Sequence, residues 1–142
     1  MIRYLLDSTA IWRIQRSREL SDGWADEADV GALGSCLPQR LEFRRSARNL
    51  DEFEQMSGMF SELYPDVPVP KVAWSWVDSA QFRLASRGRH QALSVVDWLV
   101  CATAAHHDLV VLHDDRDFHT ASELLPDLRE HNVHDLPPAG DR

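Results

Sequence analysis

The stretch Arg3-Tyr4-Leu5-Leu6-Asp7-Ser8-Thr9-Ala10 decides how this chain is read. An apolar run, Ile2 to Leu6, stops at a carboxylate. A helical pattern begins at once over Thr9 to Arg16, with Ile11 and Ile14 on one face. A strand apolar on both faces belongs inside a parallel sheet. An acid at its carboxyl end stands where open α/β sheets build their sites.

Working outward, the same alternation repeats. Leu20 to Ala28 predicts a helix with Ser21 as N-cap, and Ala32 to Cys36 a second buried strand. Pro38 opens a helix that carries Glu42 and runs to about Arg48. Leu50 to Tyr64 is amphipathic, with Phe53, Met56, Phe60 and Leu63 or Tyr64 on one stripe. The prolines of Pro65 to Pro70 allow at most a short edge strand. Pro70 opens a further helix, with Ala73, Val77, Ala80 and Leu84 inward and Gly88 as its stop. Ser94 starts a helix apolar nearly all round, hence central. Leu109 to Leu112 is a third strand, a short helix closes at Leu124 and Leu125, and Val133 seeds a last strand. The predicted fold class is α/β: a central, mostly parallel β-sheet flanked by α-helices on both faces.

The length of 142 residues suits one domain, expected over 1–136, followed by a flexible C-terminal tail over 137–142. No apolar run approaches the ~20 residues that span a bilayer. Met1 leads straight into mixed charged and apolar residues without a leader pattern, so a cytoplasmic location with no membrane partner is expected. Cys36 and Cys101 both lie in apolar segments and read as buried thiols. The net charge of −8 lacks the basic average of a nucleic-acid binder, so any such contact must use local patches.

Asp7, Glu42, Asp97 and Asp115 occupy comparable frames. Asp7 and Asp115 follow strands; Glu42 and Asp97 lie early in helices. In a parallel sheet, strand carboxyl ends and the following helix amino ends share one rim, so the acids are expected to meet. Each also has a plainer role: Asp7 as an N-cap, Asp97 in a Ser94-x-x-Asp97 capping box, Glu42 as an ion-pair partner of nearby arginines, Asp115 as a turn acid. Clustered carboxylates repel and are costly to desolvate, so a cation is the natural reason to keep them together. Oxygen donors without Cys or His suit Mg²⁺ or Mn²⁺. Such ions activate water and stabilise a leaving oxygen in phosphodiester hydrolysis.

At this point the residues form a recognisable set. Tyr4-Leu5-Leu6-Asp7-Ser8-Thr9-Ala10-Ile11-Trp12 resembles the opening of PIN-domain ribonucleases, above all the VapC-type toxins of toxin–antitoxin pairs. Leu41-Glu42-Phe43 is similar to their second acidic position. The span from Leu93 to Ala104 is similar to the third, and Val111 to Phe118 resembles the strand and loop with the last acids. The resemblance implies a PIN-like fold and a Mg²⁺- or Mn²⁺-dependent endoribonuclease cutting structured RNA such as tRNA or rRNA. It assigns catalysis to Asp7, Glu42, Asp97 and Asp115, and metal binding to Asp7, Asp97, Asp115 and Asp117. Thr9 maps to a hydroxyl that orients the first carboxylate. It also implies a VapB-like antitoxin, a homodimer, and a heterotetramer or larger assembly with the antitoxin. His113 departs from the family, where Thr is common, and Asp114 beside Asp115 leaves two neighbouring acids for one role.

Arg40, Arg44 and Arg48 recur at four-residue spacing beside Glu42 and are candidate RNA-phosphate contacts; pairing with acids such as Glu52 is the competing role. Among other acid-rim folds, a phospho-receiver domain needs a lysine after a late strand, and Lys71, the only lysine, stands at a helix start. A haloacid-dehalogenase-like phosphatase needs a second Asp where Thr9 stands. A non-catalytic acidic metal-binding module of the same fold is the alternative that uses the same residues.

Overall fold

The structure is a computed structural model, described for residues 1–138. Its elements in chain order are β1 (Tyr4–Leu6), α1 (Ser8–Arg16), α2 (Arg18–Asp29), β2 (Leu33–Gly34), α3 (Leu37–Arg44), α4 (Leu50–Leu63), α5 (Ala73–Ala85), α6 (Val95–His106), β3 (Val110–His113), α7 (Arg116–Leu124) and β4 (Arg129–Asn132). The strands form one sheet in the order β2-β1-β3-β4, and every pairing is parallel. The expected α/β architecture is the one observed.

Alternate residues of the central strands feed opposite faces. Leu5 and Val111 enter a core with Leu84, Trp98, Val100, Cys101 and Phe118, from α5, α6 and α7. Leu6 and Leu112 enter a second core with Ile11, Trp24, Phe43 and Phe60, from α1 to α4. Both thiols are free and buried. No helix among the described residues is long and apolar enough to cross a membrane.

Several boundaries differ from the sequence reading. Helix α2 starts earlier, because Ser17, not Ser21, is the cap: its hydroxyl accepts the Leu20 N–H at 3.2 Å, while its own N–H closes α1 onto the Arg13 carbonyl. Helix α3 ends at Arg44 rather than Arg48, in a run of turns over residues 45–47. Strand β2 is shorter than expected, because the proline-rich segment comes alongside it: Ser35 donates to Pro65 and receives the Val67 N–H at 2.8 Å. Along α4, Phe60 and Tyr64 are buried, but Phe53 turns outward beneath the Arg44 guanidinium. The last strand precedes Val133 and is polar. It is pinned at its end by the Val133 N–H on His113 and by the Trp24 indole N–H on the Val133 carbonyl, 2.8 Å. Of the expected tail, Pro137 and Pro138 line a cleft with Arg3, Tyr4 and Val30, and residues 139–142 lie outside the described residues.

The chain passes from β1 to β2 on one side, and β3 lies on the other. The carboxyl ends of β1 and β3 therefore flank the point where strand order reverses. Beneath that rim Gly34 makes a close approach: a Cβ there would stand 2.8 Å from Val67, 2.9 Å from Ile2 and 3.2 Å from the Pro65 carbonyl. Gly34→Ala is expected to lower stability by about 1–3 kcal/mol, as overpacked cores do. Gly58→Ala, in α4 with open space around it, is expected to raise stability by about 0.5–1 kcal/mol through helix propensity. Urea melts of both variants check the contrast.

Candidate active site

Three helices begin on the rim, and each has an acid in its amino-terminal cap: as the N-cap itself in α1 and α7, and as the third helical residue in α6. Asp7 is the N-cap of α1: Oδ2 accepts the Thr9 N–H at 3.1 Å and the Thr9 hydroxyl at 2.6 Å. Ser94 and Asp97 make a full capping box at the start of α6, each side chain bonded to the other's backbone N–H at 3.2 Å. Asp115 is the N-cap of α7, accepting the Asp117 N–H at 2.9 Å. Glu42 comes from the second turn of α3 and is half-buried, while the Ser8 hydroxyl donates to the Gln39 carbonyl at 3.5 Å. The plain capping role and the candidate chemical role thus fall on the same side chains.

Electrostatics joins these acids into one group. Burial, with Asp7 only 2 % exposed, pushes its carboxyl up to about 6; the Thr9 hydroxyl pulls it down, while the charges of Asp97 and Glu42 push it further up. The Glu42 carboxyl is raised by burial and by Asp97, against the pull of Ser8 and Arg45. Asp97 is raised by burial and by the charges of Asp115 and Asp117, against its Ser94 bonds. Asp97 is therefore the centre of the group, coupled to Asp7 and Glu42 on one side and to Asp115 and Asp117 on the other. Even the buried Cys101 thiol, one turn below Asp97, is raised by burial and then by Asp97 and Asp7.

Asp114 is engaged elsewhere. Arg13 bonds its Oδ2 at 2.6 Å and His134 approaches at 3.3 Å. Burial opposes the Asp114 charge, but these two bonds hold its carboxyl below the usual range. The geometry thus separates the neighbouring acids: Asp114 pairs with α1, and Asp115 faces the acidic group. Thr9 links both sides, because the hydroxyl that donates to Asp7 also accepts the Asp114 N–H at 2.9 Å.

The arginines near Glu42 have partners within the chain. Arg40 bonds Asp66 at 2.7 Å and Ser35 at 3.0 Å. Arg44 lies over Phe53 and bonds Ser57. Arg48 makes an exposed pair with Glu52. Arg45, exposed and at i+3 from Glu42, is the one of the nearby arginines whose charge lowers the Glu42 carboxyl, in keeping with the ion-pair role weighed for Glu42.

The donors at the rim are all carboxylate oxygens, the chemistry of a hard cation. Burial is the first cause that raises Asp7, Glu42 and Asp97, and the charge of a neighbouring acid adds to it in each case; a bound cation offsets both. Among the described residues no three His, Cys, Asp or Glu side chains are grouped so that they could hold a metal ion together. Mg²⁺ characteristically keeps several waters and takes one or two carboxylates at a time, so an open set of acids fits it. A cleft of about 790 Å³ between α5 and the segment that follows α7 is lined by none of these acids.

A family profile described as the PIN domain matches residues 4–124. Ribonuclease VapC6 of Mycobacterium tuberculosis is 64% identical over 102 residues, covering 72% of this chain and 80% of the relative. This chain is a PIN-domain protein of the VapC ribonuclease family. Ribonuclease VapC21 of the same organism is 29% identical over 116 residues, 82% of this chain and 83% of that one. Among solved structures, DNA-bound VapBC from Salmonella typhimurium matches with a TM-score of 0.74 at 16% identity, over 94% of this chain and 99% of that one. VapBC-1 from nontypeable Haemophilus influenzae matches with a TM-score of 0.74 at 13% identity, over 94% and 99%. In this VapC-family chain the acidic group lies within the span that the profile covers.

The raised Asp7 gives a pH signature. A carboxyl near 6 when folded, against 3.8 ordinarily, favours folding fully below about pH 4 and loses that contribution as pH rises through 6. The difference corresponds to on the order of 3 kcal/mol. In EDTA, Asp7→Asn is expected to be more stable than wild type at pH 7, with the gap closing near pH 4. Thermal melts across that range check it; parallel profiles for the two proteins would contradict the raised Asp7.

Proposed function

We propose that this chain is a divalent-metal-dependent endoribonuclease toxin, held inactive by a VapB-like antitoxin. The observation that carries the reading is the convergence of Asp7, Glu42, Asp97 and Asp115 on one rim of a chain 64% identical to a ribonuclease over 102 residues. The substrate class is structured RNA such as tRNA or rRNA.

In this reading Asp7, Asp97 and Asp115 hold Mg²⁺ or Mn²⁺, with Asp117 as an added oxygen donor. The chemistry such an ion supplies is charge stabilisation at the scissile phosphate and a more acidic water. Thr9 fixes Asp7 by holding its Oδ2, which removes one rotational freedom from the deepest acid. The capping box does the same for Asp97. Glu42 is outside the metal-holding set, half-buried, and raised by burial; its carboxylate suits accepting a proton from the attacking water. RNA phosphates must be met by side chains that release weak contacts. The exposed Arg48–Glu52 pair costs little to exchange, and Arg45 stands exposed beside Glu42. Arg44, over Phe53, and Arg40, 16 % exposed in its pair with Asp66, have more to give up.

The partner reading follows charge. A chain of net charge −8 with an acidic rim is complementary to a basic inhibitor segment, which would cover the acids and exclude RNA. The solved structures that share the fold include VapBC complexes, and a homodimer joined by antitoxin into a heterotetramer or larger is the matching assembly. A cytoplasmic site of action accords with an RNA target.

The test is cleavage of total RNA with Mg²⁺ or Mn²⁺, with wild type and Asp97→Asn compared by mapping new RNA ends. Asn at position 97 retains a side chain able to bond Ser94, so the fold should persist. Discrete metal-dependent ends, reduced roughly hundredfold or more in the variant, are expected. Equal ends in both proteins would remove Asp97 from the mechanism, and no ends in either would favour a non-catalytic metal-binding module.

A further inference from the structure

The loop that carries Asp115 is tied down by residues that the reaction itself does not use. His113 ends β3 and is 1 % exposed. Its Nδ1 accepts the Asp115 backbone N–H at 3.0 Å. An accepting Nδ1 carries no proton, so the proton of the neutral ring sits on Nε2. That Nε2–H faces Glu130 Oε2 at 2.7 Å and donates to it. The other carboxylate oxygen, Oε1, meets His119 Nδ1 at 2.7 Å. Glu130 belongs to β4 and His119 to α7, so one carboxylate joins the end of β3, the last strand and the helix that Asp115 caps. Phe118 is fully buried with its ring centroid 5.1 Å from that of His113.

Asp115 is thereby fixed at two points: its amide by His113, and its carboxylate by the Asp117 N–H. A carboxylate on a loosely held turn samples many directions. One on a turn gripped from behind has few, and an ion that needs it loses less entropy on binding.

We propose that His113 and Glu130 act as a positioning pair that orients the Asp115 carboxylate and so sets the affinity of the rim for a divalent cation. This rests on the reading of Asp115 as a metal-holding residue. Neither His113 nor Glu130 touches the reacting atoms; both act through the Asp115 backbone. The logic is that of carboxylate–histidine pairs behind metal sites, where the carboxylate fixes tautomer and ring orientation. Here the imidazole grips a main-chain amide instead of the metal. A buried histidine that only satisfies its own hydrogen bonds would leave the direction of Asp115 unchanged when replaced, and that difference is measurable.

The experiment uses the full chain without RNA. Mn²⁺ affinity is measured by calorimetry, and hydrogen exchange of the Asp115 amide is measured by NMR on metal-free protein. His113→Leu is expected to weaken Mn²⁺ binding about tenfold or more and to speed Asp115 exchange. His113→Asn, whose Oδ1 offers the same amide an acceptor, is expected to recover most of both. Glu130→Gln is expected to fall between. Nitrogen-15 spectra of wild type are expected to show His113 as the Nε2–H tautomer.

A folded His113→Leu with wild-type affinity and exchange would overturn the proposal, as would His113→Asn no better than Leu. Should Leu not fold, wild-type affinity and wild-type Asp115 exchange in Glu130→Gln would overturn it. A wild type that binds no Mn²⁺ overturns the metal half, along with the metal reading of Asp115, while the exchange readout still reports the positioning. A wild type that shows these shifts but cuts no RNA defeats the nuclease reading and leaves the positioning pair standing.

Discussion

The structure depends on a way of holding like charges together. Asp7, Asp97 and Asp115 each sit at the amino end of a helix and accept backbone N–H groups there. Those N–H groups have no partner inside the helix, and the helix dipole places partial positive charge at the same point. Each acid therefore has a local stabilisation before any ion is present. The helix starts converge because parallel strands deliver their following helices to one edge. Parallel pairing, capping and acid clustering are consequences of one arrangement.

The compensation is uneven, and that gives the acids different characters. Asp7 lies deepest, and its carboxyl is the one pushed to about 6. Glu42 and Asp97 are half-buried and are raised as well. Asp114, although adjacent to Asp115, is held below the usual range by Arg13 and His134. Side chains of one chemical type thus become an inner anchor, a central pair and an ion-pair partner by depth and neighbours alone. Thr9 holds the inner anchor and the β3–α7 loop together through one hydroxyl.

Much of this was legible in the residues. The two-faced strand ending at Asp7 announced a parallel sheet, and the Ser94-x-x-Asp97 spacing announced the capping box that the structure contains. Boundaries were harder where one residue serves two elements, as Ser17 does in closing α1 and capping α2. The last strand was hidden because Arg129 to Asn132 carry no apolar pattern; tertiary bonds from His113 and Trp24 hold it. The arginine reading lacked its partners, since Asp66 lies 26 positions from Arg40 in sequence. The Glu130 link was invisible for the same reason: nothing local relates it to His113, and only the pairing of β3 with β4 brings them together.

The two margins of the sheet are both poor templates for another strand. On one side β2 offers only Leu33 and Gly34 before Ser35 bridges to Asp66 beside Pro65. On the other, β4 is Arg-Glu-His-Asn, charged or polar throughout, with Glu130 and His131 already bonded within the chain. Short, proline-flanked and charged margins resist edge-to-edge growth. The chain is thus guarded against fibrillar self-association. Ordered assembly of this chain is thereby steered away from strand addition, with the sheet left closed to further strands.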